Sequence, residues 1–483
     1  MAASARRAVS ADPLNAGARD GAARLSRRRV LAGCASGAAV ALAAACAPGG
    51  GTPDGAPRAS TTQPVRLLWQ IRTTAGYDEL VKWGIDEFKK KYPNATVDTM
   101  IDAGNVEKTL ATMVAGEGPD VLHGWGHVMW QYAAKGQMYN HNDLIRDYKK
   151  ADIDDFADFQ WKGFVIPTTN FRFGMPTYIN MMVLYYNRTL FQKRGQKEPT
   201  VDWNHDDYAT MLRQLTFQDG AQKVWGGYIP AASFDRFQNH VLIFGGHVVD
   251  PKDLKKTQLD QPPAQAGLEW LRARLWQDQT LAPINADRRT WQPTSTWDGF
   301  YQGAVATLED GMHNFAAVAR TMTTADWDIA HVPKGPASAG GKRAVLGTTD
   351  GWALWKGTKA RDAGWDLMKL ITSKEWFEQQ STLTGLIPSR KSALNAWVEA
   401  MRGKYQSLAK VNMKVVVDAL TTMNYPTVDE IFLCQLEAAR VIGPALNAVF
   451  RDGEKPATYF RDIKADIERE AGACGLDPAQ VFK

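Results

Sequence analysis

What the body of this 483-residue chain lacks is an excess of charge of either sign. The whole carries 57 Lys and Arg against 52 Asp and Glu, but the first 30 residues hold seven arginines and only Asp12 and Asp20, which leaves 50 of each sign in the rest. A neutral body with no basic run does not form the electrostatic footprint of a nucleic-acid binder, so no such partner is expected. Cysteine is scarce too. Of four, Cys34 and Cys46 lie near the start, and Cys434 and Cys474 can form at most one disulfide, too few for a disulfide scaffold or a zinc cluster. No apolar run is long: residues 30–45 are uncharged and alanine-rich, yet shorter than the roughly 20 residues that span a bilayer. A P-loop and a G-x-S-x-G elbow are both missing, which removes two common catalytic frameworks.

What is present begins with Ser26-Arg27-Arg28-Arg29-Val30-Leu31, the apolar stretch up to Ala45, and then Cys46. A positive segment, a short apolar segment and the small residues Ala43, Ala44 and Ala45 suit a signal peptidase. The pattern resembles a twin-arginine lipoprotein signal, with Arg27 and Arg28 as the pair and Val30 where that class prefers Phe. Leu31-Ala32-Gly33-Cys34 also reads as a lipobox, but a signal places its apolar region before the cleavage site, and almost none precedes Cys34. Residues 1–45 are therefore expected to be a signal peptide, with Cys46 as the lipidated residue. Residues 46–63, rich in Gly, Pro, Ala and Thr, are expected to be a flexible linker.

The remaining chain, roughly 420 residues, exceeds what one hydrophobic core supports, so two lobes are expected. Val65–Ile71 reads as a buried strand, residues 77–92 as a helix with Leu80, Val81, Ile85 and Phe88 on one face, and Ala95–Ile101 as a second strand. That succession implies a parallel α/β sheet whose strand ends carry the binding loops. A helix over 106–115 ends at Gly116, and Pro119-Asp120-Val121-Leu122 starts another strand.

Four segments in order carry a more specific resemblance: Phe88-Lys89-Lys90-Lys91-Tyr92-Pro93, Met113-Val114-Ala115-Gly116-Glu117-Gly118-Pro119-Asp120-Val121, Val183-Leu184-Tyr185-Tyr186-Asn187-Arg188, and Phe300-Tyr301-Gln302-Gly303-Ala304 through Leu308-Glu309-Asp310-Gly311. The chain resembles the extracellular solute-binding proteins of carbohydrate ABC importers, the family of maltose-binding protein. The resemblance implies an α/β, periplasmic-binding-protein-like fold of two lobes around a cleft, with a hinge of crossing strands. Lobe one would be residues 64–176 plus 331–374, and lobe two residues 177–330 plus 375–483. It further implies a carbohydrate ligand, separate ABC permease subunits as partners, a monomer on the outer face of the cytoplasmic membrane, and no cofactor.

A sugar offers hydroxyls that want donors and acceptors, and flat faces that pack on aromatic rings. The chain has 17 Trp and 14 Tyr, and mixed aromatic and polar clusters fall at expected loops. On the resemblance, the ligand contacts are Trp69, Gln70, Trp125, Tyr178, Asn180, Asp310, His313, Asn314, Asp350, Trp352 and Arg390, with His313 standing where many members have Trp. Trp83 and Trp376 read instead as helix-face packing. His123 and His127 have metal-ligand spacing, but Gly124 replaces the Glu of a zinc protease, and no metal is expected. An alternative is a secreted polysaccharide-processing enzyme such as a glycosidase, drawing one carboxylate from Glu309-Asp310; adjacent strand residues point to opposite faces, so those two cannot themselves be the catalytic pair. A third reading is a purely structural surface lipoprotein.

Overall fold

The apolar run Val65–Ile71 forms β1 and Tyr77–Lys91 forms α1. Asp78 and Glu79 in the first turn of α1 and Lys89, Lys90 and Lys91 in its last suit the helix dipole. Its buried face of Tyr77, Leu80, Val81, Gly84 and Phe88 covers the sheet. Ala95–Ile101 is β2, parallel to β1 and in register from Val65–Ala95 to Ile71–Ile101. Asn105 caps α2 (Val106–Val114), and Val121–Trp125 forms β3, again parallel to β1. Gly126–Ala134 follows at once as α3. The computed structural model describes residues 61–101, 105–284 and 296–474. The signal and lipidation assignments at Arg27, Arg28, Cys34 and Cys46 lie outside the described residues.

The short β4 (Met175–Pro176) and the ten-residue β5 (Tyr178–Asn187) are separated by Thr177 alone, yet they belong to different sheets. Every residue of β5 is buried, which suits a strand covered on both faces. Beyond it come α4 (His205–Gln214), β6 (Phe217–Asp219), β7 (Gln222–Tyr228), α5 (Phe234–Ile243), β8 (Val305–Gly311), β9 (Trp327–Ala330) and β10 (Val345–Thr348). Only Thr349 separates β10 from β11 (Asp350–Leu354). Helices α6 (Arg361–Leu370) and α7 (Lys374–Thr384), strands β12 (Ile387–Pro388) and β13 (Pro426–Thr427), and helices α8 (Gln435–Leu446) and α9 (Lys464–Ala471) complete the elements that position the site.

One sheet has the order β2-β1-β3-β11-β4 and the other β13-β10-β5-β8-β7-β6, with β9 and β12 also pairing with β5. The chain therefore crosses between sheets at Thr177, at Thr349 and again between α7, which packs on α1, and β12. The expected return to lobe one at residue 331 is corrected by this topology: residues 331–348 stay with the larger sheet through β10, and the crossing falls at Thr349. The buried Gln160 ties all three crossings. Its Nε2 donates to the Tyr178 carbonyl at 2.6 Å and the Thr348 carbonyl at 3.1 Å, and its Oε1 accepts from Ser389 Oγ.

Two hydrophobic clusters are local to the lobes, one of Trp69, Leu80, Trp352, Trp376 and neighbours, the other of Val183, Tyr185, Phe315, Trp397 and neighbours. A third runs from Leu122 and Met129 across to Leu184, Phe432 and Ile442. Cys434 and Cys474 are disulfide-bonded, joining the start of α8 to the residues after α9.

Candidate functional site

Because the loops at strand ends are what an α/β sheet offers to a ligand, the site is sought where ends of the two sheets meet. In the smaller sheet Gln70 lies next to the end of β1 with Arg72 just beyond it, and β3 ends in Trp125, which lies directly opposite Asp350, the first residue of β11. From the larger sheet come Tyr178 and Asn180 at the start of β5, Asp310 at the end of β8, and the single turn Met312–Asn314. The start of α5 adds Asp235 and Arg236, and the segment after β13 adds Asp429.

The lobe-one side is organised around Asp350, which is 2% exposed. Tyr178 Oη donates to its Oδ1 and Thr348 Oγ1 to its Oδ2, each at 2.7 Å. The Arg72 guanidinium lies 4.5 Å from the centroid of the Tyr178 ring. Burial acts to lower the Arg72 pKa, but Tyr178, Asp350 and Tyr77 outweigh it and hold the group above its ordinary value. Its Nε and Nη1 are closed off from solvent and have no hydrogen-bond partner. On the same strand, the Gln70 Oε1 is likewise buried and unpartnered.

On the lobe-two side Arg236 is shared between two carboxylates: its Nε donates to Asp310 Oδ1 at 2.7 Å, and its Nη1 pairs with Asp235. Burial opposes the charge of Arg236, yet Asp235 and Asp310 raise its pKa above the ordinary value. Asn180 Oδ1 accepts from the His313 backbone N–H at 3.1 Å and lies 3.3 Å from His313 Nδ1, while Asn314 Nδ2 lies 3.2 Å from His313 Nε2. These contacts suit a neutral ring with its proton on Nδ1. Burial lowers the His313 pKa, with Asp310 acting the other way. Asp429 is the outlier. Burial first, then Asp235 and Asp350, push its carboxyl well above the usual carboxylate range against the pull of Arg236, and its Oδ1 has no partner. Asp429 faces Gly126, whose φ of 26° and lack of a side chain admit it: a β-carbon there would collide with the carboxylate.

The structure thus brings together Gln70, Trp125, Tyr178, Asn180, Asp310, His313, Asn314 and Asp350. It corrects three assignments. Trp69 and Trp352 are both fully buried, with ring centroids 5.6 Å apart and Trp69 5.9 Å from Trp376. Strand alternation turns Trp69, with Leu67 and Ile71, toward the packing under α1 and α7, so these rings are core and line no cleft. Arg390 is consumed elsewhere: its Nε donates to the Thr372 carbonyl at 2.8 Å, its Nη1 reaches the Asp152 carbonyl and Asp155 Oδ2 at 3.2 Å, and its guanidinium covers Phe156. Arg72, Asp235, Arg236 and Asp429 join the junction without having been expected from the sequence. Only Arg72 left a sequence signal, a charged residue immediately after an apolar strand run.

Glu309 and Asp310 do face opposite ways. Glu309 Oε1 lies 3.2 Å from His240 Nε2 and accepts from Asn239 Nδ2, inside the packing of α5 on β8. A groove of about 400 Å³ bordered by Lys256, Gln261, Lys464 and Glu468 has no aromatic wall. Among the described residues, the one group with metal-ligand geometry is Cys434, Glu437 and Cys474, and its two sulfurs are already joined to each other.

Comparison with known proteins bears on the fold and the family. The fold is similar to that of an ABC substrate-binding protein of Listeria monocytogenes in complex with cycloalternan, at a TM-score of 0.69 and 18% identity over 86% of this chain and 100% of that one. It is also similar to a maltose-bound protein of T. maritima, at a TM-score of 0.65 and 18% identity over 85% of this chain and 100% of that one. In sequence, a binding protein of Brucella abortus is 20% identical over 256 residues, 52% of this chain, so that the match spans 60% of the length of that relative. The family model for the bacterial extracellular solute-binding proteins matches residues 83–406, and on that match the chain belongs to this family.

Proposed function

We propose that this chain is the ligand-capturing component of an ABC importer, holding a carbohydrate between its lobes and presenting it to a separate membrane permease. The observation that carries the reading is the set of unmet hydrogen bonds at the junction. Arg72 Nε and Nη1, Gln70 Oε1 and Asp429 Oδ1 are buried without partners, although buried polar groups in native folds are nearly always paired. A polyhydroxylated ligand supplies both donors and acceptors there, and Trp125, half-buried beside Asp350, offers a flat face. Cycloalternan and maltose, held by two of the structural relatives, belong to that chemical class. Two lobes joined by crossing strands allow closure to add contacts that only the liganded state makes. The function needs no bond to be made or broken, and it is read as binding without turnover.

No helix among the described residues is long and apolar enough to cross a membrane. Export through the Arg27-Arg28 pair and a lipid on Cys46 would hold the domain at the outer face of the cytoplasmic membrane as a monomer. Cys46→Ser should leave an unlipidated precursor, and labelled fatty acid on that variant overturns the assignment. Replacing Arg27 and Arg28 with Lys should block export. The ligand reading is tested with a panel of mono-, di- and trisaccharides, scored by the shift in melting temperature and then by calorimetry. Stabilisation by at least one sugar, with no new reducing ends on incubation, is expected. A panel without any shift, or release of reducing ends, refutes the reading.

A further inference from the structure

The charges at the lobe junction do not balance, and the imbalance falls on one residue. Four carboxylates, Asp235, Asp310, Asp350 and Asp429, meet two guanidinium groups, Arg72 and Arg236. Arg236 is bonded to both Asp235 and Asp310. Asp350 accepts from Tyr178 and Thr348 and lies in the field of Arg72. Asp429 has no cation of its own. The groups that act on it are Asp235 and Arg236 from α5 and Asp350 from β11, and it lies against Gly126 at the start of α3. Two of those three charges repel it, and the third is already shared. Burial and these two carboxylates hold the carboxyl toward its neutral form, and its unpartnered Oδ1 is open to a ligand donor; an ammonium is the donor that also relieves the repulsion, which a hydroxyl does not.

The same junction limits what the cation can be. Arg72 presents two buried N–H groups that need acceptors, so the ligand carries oxygen acceptors as well as the positive charge, which excludes a simple alkylamine or a metal ion. Trp125 beside Asp350 adds a flat apolar surface. Resting on the carbohydrate reading above, we infer that the cleft is built for a saccharide bearing a protonated amine, an amino sugar unit, with Asp429 receiving the ammonium and Arg72 the ring or hydroxyl oxygens. Sugar binding then carries a proton signature. Burial first, then Asp235 and Asp350, hold the Asp429 carboxyl toward its acid form; an ammonium favours the carboxylate, so amine binding draws a proton off the protein.

The experiment is calorimetric titration of the full mature chain with matched pairs: glucosamine and glucose, galactosamine and galactose, and the β-1,4-linked glucosamine disaccharide and cellobiose. Each is run at pH 7 in two buffers of different ionisation enthalpy. The expected result is at least tenfold tighter binding of the amine in at least one pair, with proton release that the neutral partner does not show; Asp429→Asn should draw the two affinities of that pair together and abolish the release. A neutral sugar binding as tightly as its amine partner, or an amine preference that persists in Asp429→Asn, overturns the inference and leaves the carbohydrate reading standing. If no amine and no neutral sugar binds, in this set or in the wider panel, both fall.

Discussion

Trp352 is where a cleft position and a core position make opposite predictions. The ring is fully buried, its centroid 5.6 Å from Trp69 and 5.2 Å from His123, and Trp69 in turn packs on Trp376 at 5.9 Å. Trp352→Ala removes a whole indole from this packing, and large aromatic truncations in a core cost about 3–5 kcal/mol. Losing its packing on both the Trp69 and His123 rings places the value toward the upper end, since an aromatic pair adds about 0.5–1.5 kcal/mol beyond its area. With a urea slope of about 3 kcal/mol/M or more, as suits a chain of this size, the unfolding midpoint falls by about 1 M. The assay is urea unfolding followed by far-UV circular dichroism, beside ligand titration of the still-folded variant at low temperature. A variant that keeps the parental midpoint but loses ligand affinity would refute the reasoning, because it would put the ring in the cleft.

Arg72→Met removes the cation in whose field Asp350 and Tyr178 lie and leaves the buried Asp350 carboxyl without it, so stability should fall, as read by urea unfolding, and affinity for a bound sugar should fall about ten- to hundredfold, as read by calorimetry. Reducing the Cys434–Cys474 bond, 40 residues apart in sequence, should lower stability by about 4 kcal/mol on the loop-closure estimate, measured as a drop in melting temperature with reductant and matched by Cys434→Ser paired with Cys474→Ser. Burial lowers the His141 pKa from 6.5 to about 4, with bonds to the Arg172 and Tyr139 carbonyls acting the other way. Below pH 6.5 the unfolded chain therefore takes up a proton that the folded chain refuses, and stability should fall from pH 6.5 down to about 4 and then level off, by about 3 kcal/mol for this group; a melting temperature unchanged over that window contradicts it.

Local structure was legible where one physical cause acts alone. β1 begins after Pro64, α1 follows Gly76 and closes on Lys89, Lys90 and Lys91 before Pro93, and the parallel pairing of β1 with β2 followed from strand, helix, strand. Which sheet a strand joins is another matter. β10 and β11 are both fully buried strands with one threonine between them, and their burial pattern is the same in either sheet. The site divides in the same way. Tyr178, Asn180, Asp310, His313 and Asp350 could be found because polar residues at the ends of apolar strands have few reasons to be there. Trp69 and Trp352 could not be separated from cleft residues, because an aromatic near a strand end faces core or ligand according to strand phase and the cover above it. Asp235, Arg236 and Asp429 look like any solvated charge in a loop or first helical turn; only the fold around them removes their water.

Two of the unmet groups lie at the junction of the sheets. Asp429 of the larger-sheet side meets Gly126 of the smaller, and Arg72 lies over Tyr178 at the crossing, which sets the unpartnered atoms of these two side chains at the junction of the two sheets. Each such group weighs against the closed arrangement by roughly 1–3 kcal/mol until a ligand pairs with it. An apolar layer from Leu122 through Leu184 to Phe432 joins the two sides, and Gln160 is bonded to all three crossing segments. On the proposed function, a ligand that pairs with these groups favours the closed arrangement by as much as the hydrogen bonds and charge pairing it brings.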